Sequence, residues 1–243
     1  MFSTKNFSLL ALGALSALGL VWWLRNRRGQ IRSLEVWRQA LIKKHGSENG
    51  QRLFRAVQQQ YASLKAKQLW PANPALRWHL KENILPGLAL YRVLLQESAG
   101  NQPTALAEVD EAFRTWTLAK SRLLLAPLKI LPAPFRVFKL VFGQMMKKFP
   151  VEGWDFTYVE NNPEKVAFNA TRCFYLKTLT AYGAPELTAS FCKTDEIMAE
   201  LFPASIRFVR SQTLGRGDQV CDFQYCHVPE SALHADGPAS PTP

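Results

Sequence analysis

The sequence predicts an α+β protein with an N-terminal transmembrane helix, a helical N-terminal half, and a small C-terminal antiparallel sheet with packed helices. Three observations carry this expectation. Residues 7–24 form an uncharged run rich in Leu, Ala, Gly and Val. Between residues 33 and 125 apolar side chains recur at spacings of three and four, the helical period. After Pro150 the texture changes to short aromatic and β-branched segments with period two.

The run Phe7–Leu24 holds 18 residues, at the short end of what spans a bilayer as a helix. Trp22 and Trp23 close it, where interfacial aromatics belong. Arg25, Arg27, Arg28 and Arg32 follow, while only Lys5 precedes. That asymmetry reads as a single-pass membrane protein with the bulk of the chain cytoplasmic. A cleaved signal peptide is the alternative; the run's basic leader is weak and its small-residue cleavage pattern poor. The chain then divides into an anchor with its basic flank (1–32), a helical region (33–150), an α+β region (151–228) and a disordered tail (229–243).

Charge follows the same division. Residues 1–150 hold 23 Lys and Arg against 7 Asp and Glu; residues 151–243 hold 7 against 12. The basic half adjoins the expected anchor, and an anionic leaflet attracts such a segment by about 1 kcal/mol per residue near its surface. No zinc-finger spacing, RNP signature or recognition-helix pattern is present, so nucleic acid is not an expected partner.

Ser33–Lys44 reads as a helix with Leu34, Trp37 and Leu41 on one face, stopped by Gly46. Gly50–Leu69 is a second, with Leu53, Val57, Tyr61 and Leu64 aligned. Leu76–Ala99 is expected to break at Pro86-Gly87 into two helices, with Gly100 as the C-terminal cap. Thr104–Leu125 is a further helix. Residues 123–149 are Leu- and Phe-rich, interrupted by Pro127, Pro132 and Pro134 and studded with basic residues. They read either as a membrane-surface contact or as a core helix with basic flanks.

Gly153–Val159 and Lys165–Thr171 are strands around an Asn161-Asn162-Pro163 turn. Cys173–Tyr182 and Glu186–Lys193 are helices, and Thr194 or Asp195 is placed to cap a next helix ending near Leu201. Ile206–Leu214 and Gln219–Val228 form a hairpin across Gly215-Arg216-Gly217-Asp218. With that four-residue turn, Arg210 lies opposite Phe223, on the face of Cys221.

Chemistry concentrates in the last third. Cys173, Cys192, Cys221 and Cys226 are the four cysteines, and a cytoplasmic location implies reduced thiols. Arg172-Cys173 sits at a strand-to-helix junction, where an adjacent cation and a helix N-terminus both favour thiolate. Cys192 precedes Asp195 by one helical turn. Against these stand plain structural roles: free cysteines are usually buried small hydrophobes, Asp195 suits a cap, and Asp222 suits an ion pair. Cys221-x4-Cys226-His227 has no common zinc spacing. No phosphate loop, HExxH, GxSxG or nucleotide fingerprint occurs, so neither a metal nor a cofactor is expected.

Phe168-x3-Arg172-Cys173, Gly183-x-Pro185-Glu186-Leu187, Cys192-x2-Asp195, Phe208-x-Arg210-x2-Thr213-Leu214-x2-Gly217 and Cys221-Asp222-Phe223 form an ordered set. Together with Asn83-x2-Pro86-Gly87-x-Ala89-Leu90-Tyr91 upstream, the set resembles the L-2-amino-thiazoline-4-carboxylic acid hydrolase family over roughly residues 75–226. The resemblance implies hydrolytic opening of a small cyclic amidine at a C–N bond. Under it, Arg172 or Arg210 would hold a substrate carboxylate. Cys173, then Cys192 or Cys221, would be the nucleophile. Asp195 or Asp222 would orient water or protonate the leaving nitrogen, and Asn169 would donate to developing charge. Two other functions remain open: a non-enzymatic pocket for a small ligand at the membrane surface, and a thiol-based metal or redox site.

Overall fold

The computed structural model describes residues 29–229 and Ser231. The expected anchor at 7–24 and the tail beyond Ser231 lie outside the described residues. Among the described residues no helix is long and apolar enough to cross a membrane.

The helical half opens with α1 (Gly29–His45) and α2 (Ser47–Ala66), which form an antiparallel hairpin about Gly46, whose φ of 80° suits glycine. Their backbones approach closely: a Cβ on Gly50 would lie 2.4 Å from Ile42 Cα. Next come α3 (Pro74–His79), a π-helical turn at Leu80–Ile84, and α4 (Leu85–Glu97). The expected break at Pro86-Gly87 is absent. The π turn instead adds a residue just before the proline, and Pro86 falls in the first turn of α4, where its missing N–H is tolerated. Gly100 closes α4 by donating to Leu95 O at 2.8 Å with φ 84°.

Helix α5 (Gln102–Leu125), capped by Asn101, runs antiparallel to α1. His45 meets Glu108 at 2.8 Å, and Trp37 stacks on Phe113 and meets the edge of Trp116. A 3-10 turn (Ala126–Ile130) leads to α6 (Pro134–Met146). The core reading of this stretch holds for one face: Phe138 and Phe142 each pack against Tyr225 at 5.0 Å. The opposite face leaves Leu140 62% exposed.

Strands β1 (Asp155–Asn161), β2 (Lys165–Arg172), β3 (Ile206–Val209) and β4 (Cys221–His227) form an antiparallel sheet in the order β1-β2-β4-β3. Between β2 and β3 lie α7 (Phe174–Ala181) and α8 (Leu187–Ala199). No helix starts at Thr194 or Asp195. Thr194 Oγ1 donates back to Phe191 O at 2.6 Å, so its hydroxyl is spent within α8, which runs on through Asp195.

The β3–β4 connection is longer than a four-residue hairpin. The first strand stops at Val209, and residues 210–220 form a loop containing a 3-10 turn at Leu214–Arg216. Asp222 gathers it, accepting from Ser211 N, Ser211 Oγ and Gln212 N. The register is nevertheless the expected one, with Phe208 opposite Tyr225 and Val209 opposite Gln224. One step further sets Arg210 against Phe223.

Two cores result. One joins the helical half to Leu179, Leu187 and Phe191 of α7 and α8. The other lies between α6 and the sheet face bearing Val166, Phe168 and Tyr225. The thiols lie where α7, α8 and the β3–β4 loop meet.

Candidate active site

Cys173 links β2 to α7 in extended geometry. Cys192 and Asp195 project from α8 one turn apart. Cys221 opens β4 on the side chain's buried face and accepts a hydrogen bond from Leu214 N at 3.2 Å. The loop seats closely on α8: a Cβ on Gly215 would fall 3.0 Å from Cys192 Sγ. The Thr213 hydroxyl, otherwise unpartnered, faces Cys192 and favours its thiolate.

Arg210 locks this arrangement. Its side chain is 1% exposed. Nη1 donates to Asp195 Oδ2 at 2.8 Å; Nη2 donates to Cys192 O and Glu196 Oε1, both at 2.9 Å. The guanidinium lies over the rings of Phe208 and Phe223 at 5.6 and 5.2 Å. Its Nε is a buried donor with no partner among the described residues.

The three thiols and Asp195 feel one another's charge. Burial first, with the charge of Asp195 adding to it, pushes each thiol up to about 11. The expected acidification of Cys173 by Arg172 does not occur. Arg172 points away and donates to Val151 O at 2.6 Å. The backbone N–H groups of Tyr175 and Leu176 favour the thiolate but are outweighed by burial. Burial likewise raises the Asp195 carboxyl, against Arg210. Asp195 still keeps 35% of its side-chain surface open.

Beside Cys173 stands a cluster the sequence did not reveal. His79 Nε2 lies 3.0 Å from Lys148 O, which can only accept, so Nε2 carries the proton. Nδ1 is then the acceptor for Tyr175 Oη at 3.0 Å. Burial lowers His79 to about 4, leaving it neutral near pH 7. Asn83, buried within the π turn, donates to Tyr175 and opposes the upward push of burial on its phenol. Tyr175 also feels the charge of Cys173 and Asp195. A π turn is a recurrent mark of functional sites; the signals available in the sequence were the Asn83 run and a tyrosine two residues after Cys173.

The structure thus brings together Cys173, Cys192, Cys221, Asp195 and Arg210. It does not bring Arg172, Asn169 or Asp222 to them. Asn169 pairs in register with Asp222 on the opposite sheet face, and hydrogen bonds from Ser211 and Gln212 hold Asp222 low against the cost of its burial. Among the described residues no group of three or more His, Cys, Asp or Glu side chains is placed to hold a metal ion.

Residues 77–225, more than half of the chain, match the profile of the L-2-amino-thiazoline-4-carboxylic acid hydrolase family. The chain belongs to that family. The matched interval contains every member of the thiol cluster and the His79–Asn83–Tyr175 group, so in this family member both lie within the shared domain. No curated protein matches the chain. Among solved structures it is similar to the Fe(II) unliganded H-NOX protein from K. algicida, at 10% identity and a TM-score of 0.39, over 81% of this chain and 95% of that one. A likeness of that degree carries no functional argument.

Proposed function

We propose that the protein is a membrane-tethered hydrolase of a small cyclic amidine, of the aminothiazoline-carboxylate kind, and that Asp195 is its general base. The observation that carries this reading is the Asp195 carboxyl, raised by burial, oriented by Arg210 and open on one side, in a chain of this family. A carboxyl raised toward working pH exchanges protons more readily than an ordinary surface aspartate.

In the proposed step, water adds to the ring carbon between nitrogen and sulfur while Asp195 takes its proton. Asp195 gives that proton to the ring nitrogen, and the new hydroxyl's proton passes by the same carboxylate to that nitrogen as the C–N bond breaks and the carbonyl forms. The product contains the substrate plus one water, with a new carbonyl and a free amine. Arg210 acts as a positioning residue, since both terminal nitrogens already hold protein oxygens. The thiols, protonated near neutral pH, shape the pocket around the water instead of supplying a thiolate.

Incubation of the purified full chain with 2-amino-thiazoline-4-carboxylate tests this, read by mass spectrometry as the gain of one water. Asp195→Asn is expected to slow turnover by about 10²–10⁴-fold, the usual worth of a general base. Turnover unchanged in that variant rules out the assignment. One observation favours a second reading, a ligand-binding pocket without turnover: all three thiols lie far above the range of reactive cysteines. A small molecule carried through purification, with no turnover of the aminothiazoline, is the outcome that selects it.

A further inference from the structure

The most exposed apolar side chains at the ends of two helices lie at one end of the helical bundle. Helices α1 and α2 are antiparallel neighbours, so α2 ends where α1 begins. The pairs His45–Glu108 and Trp37–Trp116 set α5 antiparallel to α1, so α5 ends there too. Just beyond these helix ends stand Leu69 and Trp70, 91% and 38% exposed, and Ile130, 85% exposed. Residues 60–73 and 115–133, which build this end, contain five Lys and Arg and no Asp or Glu; the carboxylates that neighbouring elements bring to them are Glu152, which accepts from Asn73, and Glu82, which acts on Lys120. Gly29, the first residue of α1, follows Leu24 by only five residues, a tether that reaches at most about 18 Å.

We propose that this end of the bundle rests on an anionic bilayer surface, with Leu69, Trp70 and Ile130 in the interface and Lys67 and Lys129 among the headgroups. The inference rests on reading residues 7–24 as a bilayer span and adds a second, peripheral contact to it. Both halves of the argument point the same way. A short tether keeps the bundle end within about 18 Å of the hydrocarbon edge. The end it holds there carries exposed apolar side chains with Lys67 and Lys129 next to them in sequence, a combination that suits an interfacial surface.

The contact also orients the candidate active site. Lys193 and Glu200 of α8 pair with Asp110 and Arg114 of α5. Asp110 stands 15 residues before Leu125, about 22 Å along the helix. Asp195, on α8 between those two pairs, is therefore held away from the lipid, within reach of a water-soluble substrate. Anchoring and a polar substrate are compatible in this geometry.

The test uses the full chain in nanodiscs of phosphatidylcholine alone or mixed with phosphatidylglycerol, read by hydrogen–deuterium exchange. Amides of residues 66–72 and 126–133 are expected to exchange several-fold more slowly in the anionic discs, and Lys67→Glu with Lys129→Glu is expected to erase the difference. Equal exchange in both disc types, or protection that persists in the double variant, overturns the docking. Release of the full chain from membranes by alkaline carbonate overturns the span on which the docking rests. Turnover of the aminothiazoline by the double variant, measured in the same discs, reports separately on the hydrolase reading.

Discussion

Arg210 donates to Asp195 across 2.8 Å while its own side chain is 1% exposed and Asp195 stays 35% open. The pair is therefore asymmetric: the cation is sealed in and the carboxylate faces solvent. Removing either partner should have different consequences. Arg210→Ala takes the counter-charge from Asp195 and Glu196 and removes the side-chain donor to the Cys192 carbonyl. A loss of roughly 2–3 kcal/mol is expected, below the range for a fully enclosed pair because Asp195 is partly screened. Asp195→Asn leaves Arg210 bonded to Glu196 and Cys192 O, and relieves the cost of a buried ionised carboxyl. It should change stability by less than about 1 kcal/mol while slowing turnover by about 10²–10⁴-fold. Urea denaturation beside the activity assay separates the two; equal stability losses would show that the pair is a structural strut only.

The thiols offer a pH signature. Each is raised from the ordinary thiol range to about 11, burial being the first cause. A group whose folded value is raised stabilises the fold below its unfolded value, and that contribution disappears as pH climbs through the folded one. Melting temperature should therefore fall between pH 9 and 11, and Cys→Ser replacement at these positions should flatten the fall. At pH 8 the thiolate fraction of each is about a hundredfold below that of an unperturbed thiol. Iodoacetamide labelling of Cys173, Cys192 and Cys221 should be slow to match. Fast labelling of Cys173 would restore it as a nucleophile.

The loop over α8 can be tested without touching a titrating group. A Cβ at Gly215 would press on Cys192 Sγ at 3.0 Å and on the Ala189 backbone nitrogen at 3.2 Å. The sulfur can shift, but the backbone cannot do so cheaply. Gly215→Ala should lift the loop that carries Thr213 and Leu214, at a cost of about 1–2 kcal/mol. Turnover should fall more than stability does, because Leu214 N holds Cys221. Wild-type turnover in a folded Gly215→Ala protein would place the loop outside the site.

Much of this site was legible in the sequence, for physical reasons that also mark where legibility ended. The four-residue turn expected at 215–218 implies the register that β3 and β4 adopt, with Arg210 one step beyond the last pair and against Phe223, although β3 ends at Val209 and residues 210–220 are loop. Asp195 was found by its spacing from Cys192 but misread as a cap, because Thr194 satisfies its hydroxyl inside the helix instead of ending it. The setting of Cys173 was inverted. Adjacency in sequence placed Arg172 beside the thiol, but successive strand side chains point to opposite faces, and the arginine left for Val151. Tyr175 and His79 are 96 residues apart, and no local pattern announces such a pair.

That pair supports the last prediction. His79 is 3% exposed, neutral near pH 7, and lowered to about 4, with burial the largest cause. A base whose folded value is depressed stabilises the fold above its unfolded value, near 6.5, and that contribution is lost as pH falls toward 4. The full effect is about 3 kcal/mol at most, from a shift of some two and a half units. Protonation also ends acceptance at Nδ1, so Tyr175 must release its hydroxyl hydrogen bond just as the ring becomes charged. The protein should lose stability between pH 6.5 and 4, and in the same window Tyr175 should move relative to Asn83 and Cys173. His79→Phe should be less stable at pH 7, having orphaned the Tyr175 hydroxyl, yet nearly flat across the acid window. Thermal melts of both proteins from pH 7 to 4 decide it: parallel curves would mean that His79 does not set the acid sensitivity of the fold.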